Sequence, residues 1–427
     1  MLESTESLLP NPLQGQVLRM ICVGFEEEGT LNEFQSLLTT LGAETEGRIL
    51  VNTRTISPAT YIGKGKVDEI RETLEKHGGI DAVAFDVELS PNQLKNLEKG
   101  LGKPVLDRSG VIIEIFSRHA RTKESKTQVE LAKLQYLLPR LAHFWTHFER
   151  QRGGIGQKGM GEKQIEVDRR LVKKRMSILR QRLTDIEKER DVQRSGRKTV
   201  LKVALVGYTN AGKSTLLNSL TQSHVRAEDK LFATLDASVR TLDPHSHPPI
   251  VLIDTVGFID RLPPALVASF RSTLEELHEA DLLLHIVDGS SEQAREQLEV
   301  TEKVLKELGV DGKPRITLLN KLDLIQDLGR RNRARVSVPG ALQISAHNED
   351  DITKTRNLIL NYFRNQLELW EVMLPYSESK LESQLYAQGS VEIKRHLEKG
   401  TFYRLRIEGG KAKKLGLEKF RLAAEEA

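Results

Sequence analysis

The sequence predicts a multidomain α/β protein with an amino-terminal α/β domain, a long helical hairpin, a second α/β domain on a mainly parallel sheet, and a small carboxy-terminal α+β domain. Three observations lead there. The chain has 427 residues, more than one ordinary domain uses. Short apolar runs alternate with helical patterns over residues 1–115 and again over 199–366, the rhythm of strand and crossover helix. Between these stretches, residues 116–198 show only helical periodicity, and 367–427 form a compact remainder with a hairpin signal.

In the first stretch the elements run Val17 to Phe25 (strand), Leu31 to Leu41 (helix), Ile49 to Thr53 (strand), Lys66 to Lys76 (helix), Ile80 to Val87 (strand) and Pro91 to Leu101 (helix). The segment Tyr61-Ile62-Gly63-Lys64-Gly65-Lys66 leads into a helix; it reads either as an anion contact or as a plain start of the helix. From Thr127 onward, Val129, Leu131, Leu134, Leu137, Leu138 and Leu141 form a broad apolar face that Pro139 should kink. Ile165, Val172, Met176, Leu179, Leu183 and Ile186 repeat at coiled-coil steps along a helix from Gln164 to Arg194. Phe144, Trp145 and Phe148 read as hairpin core in preference to base-stacking surface.

The apolar share of 38% and charged share of 29% exclude a disordered or collagen-like chain. No run is long and apolar enough to cross a membrane, and Met1 to Pro10 lack a signal pattern, so a cytoplasmic, monomeric protein without a membrane partner is expected. The single cysteine, Cys22, forbids an internal disulfide and fits a reducing compartment.

The net charge of +4 conceals an asymmetry. Arg118 to Lys198 holds 22 Lys or Arg against 10 Asp or Glu, a surplus of 12. Such a block attracts a polyanion and orients it. At its centre lies Gly153-Gly154-Ile155-Gly156-Gln157-Lys158-Gly159-Met160-Gly161, with five glycines in nine residues and Arg150, Arg152 and Lys163 beside them. Glycines allow close backbone approach, so Arg150, Arg152, Gly153, Gly154, Gly156, Lys158, Gly159, Gly161 and Lys163 are the candidate RNA contacts. Arg330, Arg331, Arg333 and Arg335 form a second basic patch, read as a solvated loop in preference to an RNA contact.

The chemistry lies in the second α/β stretch. A strand over Thr199 to Val206 ends in Gly207-Tyr208-Thr209-Asn210-Ala211-Gly212-Lys213-Ser214, followed by Thr215, which fits G-x-x-x-x-G-K-[ST] between strand and helix. Backbone N-H groups of this loop can face phosphates, Lys213 can reach the β and γ oxygens, and the Ser214 hydroxyl can bind Mg2+. A second strand, Ile250 to Ile253, ends in Asp254-Thr255-Val256-Gly257, placing a carboxylate behind the metal's waters and a glycine N-H near the γ-phosphate. A third, Arg315 to Leu319, ends in Asn320-Lys321-Leu322-Asp323. Asp323 can accept from N1-H and the 2-amino group of guanine, which adenine cannot offer, while Asn320 can reach the other base edge; GTP and GDP are selected. A fourth strand, Leu342 to Ser345, delivers Ser345-Ala346 to buttress the base, with His347 read as a surface residue. Phe232-Ala233-Thr234 precedes the second strand, and the Thr234 hydroxyl is the candidate to complete the Mg2+ shell when γ-phosphate is present. Lys213, Thr234 and Gly257 are the candidate catalytic residues.

Phe258 stands where Ras-like enzymes commonly carry a glutamine that orients water, so slow intrinsic hydrolysis is expected. Asn210 sits where some GTPases use an asparagine to help bind K+, against a simple loop-stabilising role.

Together these motifs resemble the HflX family of ribosome-associated GTPases, over nearly the whole chain. The resemblance also rests on Gly63-Lys64-Gly65-Lys66, Asp107-Arg108-Ser109, the glycine tip with Glu162 and Gln164, and the Phe232 to Asp236 and Asp254 to Ile259 segments. It implies a P-loop GTPase domain over 199–366, binding to the large ribosomal subunit and its rRNA with the hairpin tip near the peptidyl transferase centre, and splitting of stalled ribosomes under stress. Lys158 and Met160 depart from the Arg and Pro expected of the tip. Rival classes are an RNA-remodelling, helicase-like protein with nucleotide in the amino-terminal domain, and a tRNA-modification GTPase, whose usual terminal cysteine motif is missing here.

Overall fold

The computed structural model describes residues 8, 17–25, 28–52, 55–141, 160–195, 200–221, 231–232, 238–243, 248–263, 266 and 276–422. The chain divides into two compact units. The first comprises Met1–Arg190, Glu228–Asp236 and Asp260–Thr273; the second comprises Asp191–Ala227, Ala237–Ile259 and Leu274–Ala427.

The first unit is built on a parallel sheet of β1 (Leu18–Phe25), β2 (Ala43–Val51), β3 (Ala82–Phe85) and β4 (Val105–Asp107), in the order β2-β1-β3-β4. β1, LRMICVGF, is apolar almost throughout and buried along its length, as a central strand covered on both faces must be. Its Cys22 is fully buried, and burial pushes the thiol up to about 12, which makes it inert. Crossover helices α1 (Glu28–Thr40), α2 (Lys64–His77) and α3 (Pro91–Leu101) link the strands. α3 has sharp ends because Ser90 and Gln93 form a reciprocal capping box, Pro91 opens the first turn, and Gly102 closes it in a left-handed conformation (φ 68°).

Past β4 the sequence reading missed an element. α4 (Arg108–His119) begins at once, capped by Asp107, and continues through residue 115, where that reading ended its first domain. Buried on nearly every side over its first nine residues, it shows no amphipathic stripe to betray it. α5 (Lys123–Leu137) follows and tightens into a 3-10 turn at Leu138–Arg140, the effect expected of Pro139. α6 (Met160–Ser195) starts before Gln164 and ends one residue after Arg194. Leu131 and Leu134 of α5 pack with Val172, Met176 and Leu179 of α6, and Arg175 holds Glu130 with two hydrogen bonds of 2.6 and 3.0 Å. This is the paired-helix seam that the spacing predicts. Phe144, Trp145, Phe148 and the tip from Arg150 to Gly159 lie outside the described residues, as does the Lys163 side chain.

The second unit carries a six-stranded sheet in the order β10-β9-β8-β5-β7-β6, parallel except for the β6–β7 pair. Its strands are β5 (Leu201–Gly207), β6 (Ser238–Asp243), β7 (Ile250–Asp254), β8 (Leu282–Asp288), β9 (Arg315–Asn320) and β10 (Leu342–Gln343). Helices α7 (Lys213–Thr221), α8 (Ala294–Glu307), α9 (Leu328–Ser337) and α10 (Glu349–Gln366) belong to it. β10 stops earlier than the expected Ser345, because only Leu342 and Gln343 pair with β9 before the chain turns away. The arginine patch expected as a loop is α9, since Asp327 caps its first turn by accepting from Arg330 N at 2.6 Å. A three-stranded antiparallel sheet, β11 (Glu368–Leu374), β13 (Gly400–Ile407) and β12 (Ser390–Leu397), closes the chain with α11 (Ser379–Gln388) and α12 (Gly409–Lys414), around Trp370, Tyr403 and Leu405. No helix among the described residues is long and apolar enough to cross a membrane.

Candidate functional site

Each of the first three chemical motifs begins where a parallel strand of the second unit ends, at Gly207, Asp254 and Asn320. Such a sheet gathers loops at the carboxyl ends of its strands, the place where α/β folds take ligands. The loop after β5 depends on its glycines. Gly207 has φ 153°, and a Cβ there would lie 2.2 Å from the Ile286 carbonyl oxygen. A Cβ at Gly257 would come within 2.7 Å of the Thr209 Cα and 2.9 Å of the Lys213 Nζ. The backbone is therefore brought closer than any side chain would permit.

Lys213 is buried, and its Nζ donates to the carbonyls of Gly207 (3.1 Å) and Tyr208 (2.8 Å). Burial lowers its pKa to about 8; nearby Asp254 opposes that shift and Lys321 adds to it. Ser214 Oγ donates to Asp254 Oδ2 at 2.7 Å, placing a hydroxyl and a carboxylate side by side at the start of α7. Thr255 turns away, donating its hydroxyl to the Leu205 carbonyl at 2.6 Å inside the core. Phe258 N donates to the Gly207 carbonyl at 3.1 Å, and Thr209 N donates to the Phe258 carbonyl at 2.6 Å. The Phe258 ring is buried at 3% exposure, so it offers no polar group to a water.

Asn320 does something the sequence did not indicate. Its Nδ2 donates to the Ala211 carbonyl at 2.9 Å, and its Oδ1 accepts from Ala346 N at 3.0 Å. The side chain thus ties the phosphate loop to the Ser345-Ala346 loop. Lys321 adopts a left-handed backbone (φ 64°) and pairs with Asp288 at 2.9 Å. Asp323 opens into a cavity of about 470 Å³ that Arg331, Ser345 and His347 also line. Asn210 has φ 60°, a conformation that asparagine tolerates better than most residues, which gives the loop-stabilising role a physical cause.

Gly207 to Thr215, Asp254 to Gly257, Asn320, Lys321, Asp323, Ser345 and Ala346 are thus brought to one edge of one sheet. Phe232 belongs to the first unit, where its buried ring meets Phe116 edge to face at 4.6 Å with a left-handed backbone (φ 56°). Beside it, Leu231 N donates to Thr40 Oγ1 at 3.2 Å. Ala233 and Thr234 lie outside the described residues.

Sequence reasoning named Arg108 only within the Asp107-Arg108-Ser109 run and gave it no partners; its side chain is nearly fully buried in the first unit. Its guanidinium pairs with Asp86 at 2.6 Å and with Glu33, and it donates to the Asp260 carbonyl at 3.1 Å. Asp260 lies three residues beyond Gly257. The place of Arg108 at the head of a largely apolar run gave no sign of those partners.

Comparison with known proteins gives three adjoining family matches: "GTP-binding GTPase N-terminal" over residues 28–117, "GTP-binding GTPase Middle Region" over 119–197, and "50S ribosome-binding GTPase" over 202–321. Among curated relatives, "GTPase HflX" of Caldanaerobacter subterraneus subsp. tengcongensis is 42% identical over 377 residues, covering 88% of this chain and 86% of that protein. "GTPase HflX" of Escherichia coli K12 is 40% identical over 365 residues, covering 85% of each. Among solved structures, a GTP-binding protein from the archaeon Sulfolobus solfataricus in complex with GDP is 26% identical, covering 81% of this chain and 98% of that one, with a TM-score of 0.43.

Proposed function

The chain belongs to the HflX family of GTPases, binds guanine nucleotide and hydrolyses GTP, and we propose that it acts in the cytoplasm on the large ribosomal subunit, splitting or rescuing stalled ribosomes under stress. The observation that carries this reading is the surplus of 12 positive charges between Arg118 and Lys198, while residues 199–366 hold 20 Lys or Arg against 22 Asp or Glu. A basic hairpin fits rRNA, whose phosphates dominate affinity for any cationic arm. Within the same proposal the chain comprises an α/β domain at 1–115, the hairpin at 116–198, the GTPase domain at 199–366 and an α+β domain at 367–427. The tip from Arg150 to Lys163 would meet the RNA.

At the nucleotide site, Lys213 and the N-H groups of the loop would hold phosphate, Asp323 the guanine edge, and Ser345-Ala346 its face. The paired oxygens of Ser214 and Asp254, 2.7 Å apart, are the hard donors that Mg2+ prefers, and Thr234 would join them when γ-phosphate is present. Bound Mg2+ neutralises phosphate charge. With Phe258 unable to orient water, the ribosome would speed turnover by ordering the switch segments. Asn210 would help hold K+ only if turnover is faster in K+ than in Na+ buffer.

Sedimentation with purified large subunits tests the reading. Binding is expected to be stronger with a non-hydrolysable GTP analogue than with GDP, and to fall steeply with salt. Equal binding with either nucleotide, or binding that is indifferent to salt and to deletion of residues 153–161, would overturn it.

A further inference from the structure

Apart from Arg331, which lines the cavity beside Asp323, helix α9 takes no part in the site above; its sequence, LGRRNRARVS, holds four arginines and no acidic residue. The helix is not part of a generally basic surface. Residues 199–366 contain 20 Lys or Arg against 22 Asp or Glu, so these arginines stand on a slightly acidic domain. Only Ala334 is buried. At 100° per residue, Ala334, Arg330, Arg333 and Ser337 share the inner side, and all four line a cavity of about 340 Å³. The outer side carries Leu328, Arg331, Asn332, Arg335 and Val336, with Leu328 exposed at 74% and Val336 at 77%.

Arg330 is steadied by Glu292 at 3.3 Å. Among the described residues, Arg331, Arg333 and Arg335 have no ion-pair partner. A helix face that offers guanidinium groups and an amide but no carboxylate is complementary to a surface of acceptors alone. Arg331 and Arg335 follow one another by about 6 Å along the axis, a step that suits consecutive charges of a nucleic-acid strand. Their planar forks match phosphate oxygens in pairs.

We propose that the outer face of α9 is a second RNA-binding surface, gripping the phosphate backbone of double-helical RNA through Arg331 and Arg335 with Asn332 between them. Leu328 and Val336 lie at the two ends of that face and limit water access to the contact. Arg331 also lines the cavity into which Asp323 opens, so an RNA held here would adjoin the mouth of the guanine site. The identification of that RNA as ribosomal rests on the proposed function; the contact itself does not.

The test uses the full chain with saturating GDP and a fluorescein-labelled RNA duplex of about 16 base pairs, followed by anisotropy from about 50 to 200 mM salt. Arg331→Ala/Arg335→Ala is expected to weaken binding and to lower the slope of log affinity against log salt by about 2, one per lost phosphate contact. The far-UV circular dichroism spectrum and the urea midpoint should match those of the parent, showing that the domain is folded. Leu328→Ser/Val336→Ser should change RNA affinity by less than about threefold and leave the slope alone. An unchanged slope in the arginine variant overturns the proposal. So does a loss confined to the Leu328/Val336 variant, which would place the contact on the apolar ends of the face and not on its arginines. If the arginine dependence holds on the duplex but the protein fails to sediment with large subunits, the ribosomal reading falls and the RNA surface stands.

Discussion

Replacing Arg108 with methionine removes a buried cation and leaves its two carboxylate partners in place. Asp86 is 1% exposed and Arg108 4%, so water screens the pair little. Deleting one member of a buried ion pair costs roughly 3 to 5 kcal/mol, because the remaining charge is uncompensated. The loss should depend on pH. Burial already raises the Asp86 carboxyl to about 6 against the pull of Arg108, and Glu33 pushes it the same way. A carboxyl raised in the folded state takes up protons on folding, so its contribution is most favourable in acid and fades as pH rises through the folded value. Without Arg108 the folded value climbs further, and the fading extends into the neutral range. Arg108→Met should therefore lose about 3 kcal/mol at pH 7.5 and distinctly less at pH 5.5, measured by urea denaturation followed by circular dichroism. Asp86→Asn in the same chain should return part of the loss at pH 7.5. Equal destabilisation at both pH values, or none at either, would refute the assignment of the Arg108 network as a charge-compensated core.

Other consequences follow from the second unit. Gly207→Ala sets a Cβ 2.2 Å from the Ile286 carbonyl, and the loop should be lost together with nucleotide binding, as a fluorescent-GDP titration would show. Lys213→Ala should abolish tight GTP binding while preserving the circular dichroism spectrum; unaltered affinity would remove Lys213 from the phosphate site. Asp323→Asn should exchange the guanine preference for xanthine, because an amide donates where the carboxylate accepted; competition between GTP and XTP reads this directly. His285 is buried with neither ring nitrogen hydrogen-bonded among the described residues, and burial, helped by Arg315 and Lys213, lowers its pKa from 6.5 to about 4. The unfolded chain takes up a proton that the folded one refuses, so stability should drop by up to about 3 kcal/mol as pH falls from 6.5 towards 4. His285→Leu should flatten the urea midpoint across that window.

Arg108 and Asn320 show what kind of information the sequence withheld. The phosphate loop, Asp254 and Asp323 could be read because each belongs to a contiguous motif whose spacing along the chain equals its spacing in space at the end of a strand. α3 could be placed to the residue for the same reason, since Ser90, Pro91, Gln93 and Gly102 are local stop and start signals. Arg108 could not, because Glu33, Asp86 and Asp260 reach it from separate segments up to 152 residues away. Asn320 was legible as a motif member but not in its bonding, because Ala211 and Ala346 become its partners only when the sheet brings three loops together. Phe232 makes the same point: it reads as part of a nucleotide switch along the chain, whereas in space it is held by Phe116 and its neighbour Leu231 by Thr40. If nucleotide is to reorder that segment, it must offset an aromatic contact worth about 0.5 to 1.5 kcal/mol beyond burial, and a hydrogen bond of about 1 kcal/mol. Both figures are small beside the energy with which a bound triphosphate can discriminate between two states, so the contacts hold the segment in one state without preventing the other.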